Sequence, residues 1–184
     1  MSELARQGDR SAAGTRGQTP FPLVHDYHDY AAVTATPWSA VKLGIRVEDE
    51  AITAIDFLPA GAVDMAANDR LAAEAVRQLG NYFRHPHRGF TLPLALSGTP
   101  FQQEVWGALR RIPAGATSSY GALARRLGSS PRAVGGACRA NPIPVIIPCH
   151  RVVAAQGLGG FMGARAGRGL RIKQYLLAHE SSSS

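Results

Sequence analysis

From Val41 to Val47 the chain alternates: Val41, Leu43, Ile45 and Val47 are apolar, and Lys42, Gly44 and Arg46 fall between them. A period of two puts the apolar set on one face of a β-strand. A second apolar run, AITAIDFLP, follows the acidic stretch EDE, so strand-like pattern over Trp38 to Leu58 predicts a hairpin. The period then changes. In NDRLAAEAVRQLGNYF, Leu71, Ala75, Leu79 and Phe83 recur every fourth residue, which predicts a helix with Asn68 or Asp69 as its cap. RHPHRGFTLPL breaks that pattern with prolines and glycine, and predicts a boundary or linker over residues 84–98.

The second half carries clearer start and stop signals. Thr99, Pro100 and Gln102 form a capping box with proline at the first helical position, and Phe101, Val105, Leu109 and Ile112 give the helix its apolar stripe. SSYGALARRLG predicts a short helix with a serine cap, stopped by Gly128. SSPRAVGGACRAN predicts another, with Ser130 as cap and Pro131 in the first turn. Two short helices so closely spaced fit a helix-turn-helix. The second is unusual in its small residues: Ala133, Gly135, Gly136, Ala137 and Ala140. Glycine inside a helix costs about 1 kcal/mol relative to alanine. Either tight packing on the preceding helix or close approach to a bulky partner accounts for it, and the pattern leaves both open. PVIIP reads as a short buried strand bracketed by prolines; GLGGFMGARAGRG reads as a loop, and LRIKQYLLAHE as a closing helix.

Composition narrows the classes. The chain has 184 residues, 45% of them hydrophobic, enough for one large domain or two small ones. It carries 20 basic and 13 acidic residues, a formal +7. That excess suits a polyanion, nucleic acid or an anionic membrane surface, or belongs to a merely soluble basic protein. No stretch has the apolar length of a membrane span, and the N-terminus lacks the apolar core of a secretory signal. Cys138 and Cys149 match no metal spacing, and we expect both reduced, hence a cytoplasmic protein. His25, His28, His85 and His87 stand without cysteines and read as surface or hydrogen-bonded histidines, so no metal is expected. Residues 1–20 read as a flexible leader and 181–184 as a disordered tail.

The chemistry concentrates in NPIPVIIPCHRVV. A free thiol is only about 3% thiolate at pH 7, so a nucleophilic cysteine needs a base or a cation. His150 and Arg151 both follow Cys149 directly. In an extended segment successive side chains point apart, so direct contact between Cys149 and His150 requires a turn or a bridging water. A histidine base also needs an orienting carboxylate, and Glu180 is the candidate that only the fold can bring near. The plain alternative is a structural cysteine beside a solvent-facing histidine.

IPCHRVV preceded by NPIP resembles the O6-alkylguanine-DNA alkyltransferases, also called methylated-DNA–protein-cysteine methyltransferases. GTPFQQEVWGALRRIPAGATSSYGALA, RAVGGACRANPIPVIIPCHRVV and GLRIKQYLLAHE are similar to that family in its order, from Gly98 to Glu180. The first half is similar in outline, where TPWSAVKLGI resembles the opening strand. The resemblance implies a ribonuclease-H-like α/β N-terminal domain over 21–95. It also implies a mainly helical, winged-helix-like C-terminal domain with a helix-turn-helix over 96–180. It implies stoichiometric transfer of an alkyl group from O6-alkylguanine in double-stranded DNA to the cysteine, with O4-alkylthymine an open second lesion. No cofactor is implied, and a monomer is expected.

Carried over residue by residue, the resemblance makes Cys149 the acceptor and His150 a base acting through water, with Glu180 orienting it. Asn141 holds the turn, and Tyr120 donates to the departing guanine O6. Arg132 replaces the flipped nucleotide, and Ala133, Gly135, Gly136, Arg139 and Arg151 join it against DNA. Val152 offers its carbonyl to the base, in a pocket shared with Phe161, Met162 and Tyr120. Three features depart from the family pattern: a shorter turn before RAVGG, Phe161 where tyrosine is usual, and a loop lengthened by ARAGRG with Arg165 and Arg168. Two rival readings are a protein that binds the lesion without repairing it, which Cys149 speaks against, and a Cys–His hydrolase, which leaves the helix-turn-helix unexplained.

Overall fold

The alternating run forms the central strand of a three-stranded antiparallel sheet, in the order β1 (Ala32–Ala35), β2 (Val41–Glu48), β3 (Ala51–Pro59). Residues 27–38 and 40–182 are described in this computed structural model; the leader expected at 1–20 and His25 lie outside them. The hairpin forms where EDE predicts it. Asp49 and Glu50 both take left-handed backbone, the conformation that a two-residue turn between right-twisted strands requires. β1 escaped the sequence reading because AVTA is too short to show a period; it precedes the TPWSAVKLGI stretch read as the opening strand.

Helix α1 (Arg70–Tyr82) starts where Asp69 accepts from the Ala72 N–H at 2.8 Å. Its buried face is Ala72, Ala75, Leu79 and Tyr82, one step round from the predicted stripe, with Leu71 and Phe83 at its margin. The segment after α1 is not a free linker. Ile52 N–H donates to the Pro93 carbonyl and Ala95 N–H to the Ile52 carbonyl, so residues 93–95 lie along the edge of β3.

Helix α2 (Pro100–Arg110) carries the complete capping box of Thr99 and Gln102. A two-residue strand β4 (Ser118–Ser119) leads into α3 (Tyr120–Arg126), and Leu127–Ser130 turn the chain into α4 (Pro131–Arg139). Both short helices have the serine caps the sequence predicts. Trp106 of α2, fully buried, donates its Nε1–H to the Ala137 carbonyl at 2.9 Å and so fixes α4 against α2.

PVIIP is not a strand. Residues 144–147 make a tight turn, with Ile147 N–H donating to the Ile143 carbonyl and Val145 at φ +75°. Pro144 and Pro148, with Pro142 just before them, deny the segment the donors a strand ladder needs. A single 3₁₀ turn, Cys149–Arg151, follows, then β5 (Val152–Val153), which pairs in parallel with β4. Helix α5 (Gly167–Ser181) closes the chain; it starts inside the loop read as GLGGFMGARAGRG. Of the tail expected at 181–184, Ser181 ends α5 and Ser182 caps it, while 183 and 184 lie outside the described residues.

One hydrophobic core runs through both halves, from Leu43, Ile55 and Leu79 to Trp106, Ile147 and Leu176. Ile55 N–H donates to the Pro142 carbonyl at 2.9 Å, so the sheet touches the loop that leads to Cys149. The architecture is α/β, a small antiparallel sheet with helices. Among the described residues no helix is long and apolar enough to cross a membrane.

Candidate active site

The route from α4 to the 3₁₀ turn is held by one side chain. Asn141 Nδ2–H donates to the Ile147 carbonyl at 2.8 Å, and Asn141 Oδ1 accepts from the Ile143 N–H at 3.0 Å. The amide thereby closes the proline turn on itself just before Cys149. Val145, a β-branched residue in left-handed backbone, lies inside that closure.

The 3₁₀ turn resolves the question of adjacency. His150 and Arg151 leave the helical backbone toward the protein interior, not toward opposite faces of a strand. His150 is fully buried, and its Nε2 lies 2.8 Å from Glu180 Oε1. An ionised carboxylate only accepts, so Nε2 carries the proton and Nδ1 holds the lone pair of a neutral imidazole. Among the described residues no group hydrogen bonds to that Nδ1. Burial holds the His150 pKa below its usual value despite the carboxylate, which keeps the ring neutral and basic only at Nδ1.

Glu180 is the hub. Its Oε1 also accepts from the Tyr82 hydroxyl at 2.8 Å and from Arg151 Nη2 at 2.8 Å. Its Oε2 accepts from Arg151 Nε at 3.0 Å and from the Gly115 N–H at 3.3 Å. Gly115 sits at φ +79°, and a Cβ there would come within 3.3 Å of the Glu180 carbonyl, so the turn after α2 needs glycine to aim this donor. Burial pushes the Glu180 carboxyl up, but the hydrogen bonds from His150 and Arg151 outweigh it and hold the group below the ordinary carboxylate range.

Arg151 turns inward. Expected against DNA, it lies buried in this structure, paired with Glu180 and donating Nη1–H to the Ile112 carbonyl at 2.6 Å. A buried carboxylate that also faces a neutral imidazole needs a permanent cation, and Arg151 supplies it.

Cys149 is 4% exposed. Burial raises its thiol pKa, opposed by a hydrogen bond from Asn141 and by the charge of Lys173. Lys173 was not foreseen. Its ammonium is buried, pairs with no carboxylate among the described residues, and donates to the carbonyls of Val152 and Leu158, each at 2.6 Å, and of Gly160 at 3.0 Å. The Val152 carbonyl, expected to face a base, thus already accepts from Lys173. A sequence signal existed: Lys173, Leu176 and Glu180 fall on one buried stripe of α5, and charges on an apolar stripe mark a site. Tyr82 and Gly115 gave no such signal.

Tyr120, at the start of α3, donates its hydroxyl to the Gly160 carbonyl at 3.2 Å, and burial pushes its pKa up to about 12. Gly159, at φ +68°, lets the loop pass within contact of the Tyr120 ring, where a Cβ would sit 2.9 Å from it. Phe161 packs inward. Its ring is buried against Phe57 of β3, centroids 6.0 Å apart. Met162 stays half-buried beside it. On α4, Arg132, Gly136 and Arg139 are exposed, and Ala133 and Gly135 are half-buried. The structure therefore gathers Cys149, His150, Glu180 and Asn141 with Arg151, Tyr82 and Lys173, and leaves α4 as a separate outward face.

The sequence profile of the 6-O-methylguanine DNA methyltransferase DNA-binding domain matches residues 100–182. A methylated-DNA–protein-cysteine methyltransferase of Methanosarcina acetivorans is 45% identical over 118 residues, 62% of this chain and 72% of that one. One of Mycolicibacterium paratuberculosis is 47% identical over 120 residues, 64% of this chain and 70% of that one. The crystal structure of Mycobacterium tuberculosis OGT in complex with DNA superposes with a TM-score of 0.68 at 35% identity, covering 84% of this chain and 94% of that one. This chain belongs to the methylated-DNA–protein-cysteine methyltransferase family.

Proposed function

We propose that the protein repairs DNA by moving the alkyl group of O6-alkylguanine in a duplex onto Cys149, once per molecule. The observation that carries this is the protonation pattern of His150: with its proton fixed on Nε2 by Glu180, its one basic atom is a buried, unpartnered Nδ1 on the residue next to the thiol. A water bridging Nδ1 and the thiol carries the proton away from Cys149. The thiolate sulfur then bonds to the alkyl carbon as the bond from that carbon to O6 breaks. The electron pair goes to guanine, which Tyr120 stabilises by turning its hydroxyl from the Gly160 carbonyl to O6. A phenol whose pKa is about 12 stays a donor at neutral pH. The product is a thioether, which has no easy hydrolytic exit, so the protein is consumed.

A base inside a stacked duplex cannot reach a buried thiol, so the lesion is flipped out. Arg132 is exposed at the start of α4 and fills the gap, while Gly136 and Arg139 lie along the same helix against the backbone. In this reading the N-terminal α/β half, 21–95, is ribonuclease-H-like, and the C-terminal half, 96–180, is winged-helix-like. One chain carries every group the transfer uses, so a monomer suffices. Two free cysteines suit a reducing cytoplasm.

The test is mass spectrometry after incubation with one equivalent of duplex DNA containing O6-methylguanine. The peptide with Cys149 should gain one methyl group, about 14 Da, and the peptide with Cys138 none. Burial holds the Cys138 thiol at about 12, with no imidazole beside it. Repeated turnover by one molecule, or methyl on Cys138 alone, would sink the reading.

A further inference from the structure

The residue that ends α1 reaches across the molecule into the site. Tyr82 and Glu180 are 98 residues apart in sequence, yet the Tyr82 hydroxyl donates to Glu180 Oε1 at 2.8 Å, and both side chains are buried. That oxygen is the one that holds the His150 Nε2 proton, also at 2.8 Å. The Tyr82 ring is fixed by Phe83, Phe90 and His179, and His179 Nε2 lies 3.1 Å from the Tyr82 carbonyl. The phenol therefore has one place to donate.

Tyr82 and His150 share Oε1 with Arg151, and donors on one oxygen compete for its charge. Each hydrogen bond to Oε1 withdraws electron density that the imidazole would otherwise feel. Arg151 already neutralises the carboxylate through both oxygens. The groups that face His150 are Glu180, Arg151 and Lys173, and those that face Tyr82 are Glu180, Arg151, Tyr175 and His179. Of these, Tyr82 is the neutral donor that bears on Oε1 and comes from the N-terminal half.

We propose that Tyr82 is a positioning residue for the transfer: its hydroxyl fixes the Glu180 carboxylate and, by sharing Oε1, sets how strongly that carboxylate supports His150 as a base. The inference rests on the reading of His150 as the base that serves Cys149. It gives the N-terminal sheet-and-helix half a task in the chemistry of the C-terminal half.

The direction follows from the competition. Removing the hydroxyl concentrates charge on Oε1 for His150, so the Nε2–H bond strengthens and the imidazole becomes easier to protonate. In Tyr82→Phe the His150 Nε2 proton resonance of the full chain, labelled with 15N-histidine, should move downfield. The acid limb of the single-turnover rate on duplex O6-methylguanine should move up by about one pH unit, the scale of one charged hydrogen bond partly transmitted. The DNA concentration for half-maximal rate should not change. Placing 3-fluorotyrosine at position 82, a stronger donor of nearly the same shape, should move both readouts the opposite way, and it keeps the test open should the phenylalanine variant unfold.

An Nε2 proton resonance identical in all three proteins overturns the inference, because a ring that merely packs leaves His150 untouched. A resonance that moves in opposite directions in the two variants supports it. Should it do so while the acid limb of the rate stays fixed, Tyr82 tunes His150 as inferred and the base assignment fails, which separates the two.

Discussion

Lys173 shows how much one side chain decides here. A lysine in a protein core normally loses its proton or finds a carboxylate. This one finds three carbonyls, and its pKa is lowered to about 8, by burial first, with the thiols of Cys149 and Cys138 pulling it back up. At neutral pH it is therefore still a cation, close to a thiol that burial alone would keep protonated. Lys173→Met keeps the chain length and removes the charge. Losing a nearby opposite charge raises a thiol pKa by about one unit or more, so transfer at pH 7 should slow about 10-fold. Ultraviolet thiolate absorbance against pH, in a Cys138→Ser background, reads the shift. An unchanged titration of Cys149 would mean that Lys173 serves the loop carbonyls alone. The cysteine, the histidine, the glutamate and Asn141 were legible as residue types in one short motif and one helix end. The direction in which Arg151 points was not, because an arginine beside a catalytic pair in a basic protein reads as a DNA contact until the 3₁₀ turn faces it inward.

At the scale of elements, local chemistry carried the prediction where caps exist. Asp69, Thr99, Ser119 and Ser130 start four helices at the places their side chains dictate. Where no local rule acts, the pattern misled. PVIIP has the composition of a buried strand, but Asn141 and the prolines close it into a turn. The small residues of α4 are the more informative case. A Cβ added at Gly136 would meet nothing within 4 Å, and one at Gly135 would meet only the Tyr120 ring at 3.9 Å. Packing inside the protein therefore does not demand glycine at 136, which fits the close approach to DNA proposed above. Gly136→Ala should then have two effects of opposite sign. It should stabilise the fold by up to about 1 kcal/mol through helix propensity, read by chemical denaturation. It should also weaken binding to duplex DNA, read by salt-titrated affinity. Tighter or equal DNA binding by the alanine variant would remove this face of α4 from the interface.

At the scale of the whole molecule, Glu180 is the point where four parts of the chain meet: α1 through Tyr82, the turn after α2 through Gly115, the 3₁₀ turn through His150 and Arg151, and α5, which carries it. The molecule should therefore be acid-sensitive in two stages. His150 has a folded pKa below its usual value, with burial as the largest cause, so the unfolded chain binds its proton first as pH falls below about 6.5. Stability then drops by about 1.4 kcal/mol per pH unit for that one proton, until the folded imidazole is protonated too. Glu180 has a folded pKa below its unfolded value of about 4.3. Its contribution is complete above that value and is lost as pH falls through the folded one. Urea midpoints measured from pH 8 to pH 3 should be flat above about pH 6.5, decline below it, and steepen below about pH 4.3. In Glu180→Gln the second stage should vanish, and stability at pH 7 should fall by about 3–5 kcal/mol, because Arg151 is left buried without its counter-charge. A wild-type curve that is flat down to pH 4, or a glutamine variant as stable as wild type at pH 7, would show that the hub orders the site without holding the two halves together.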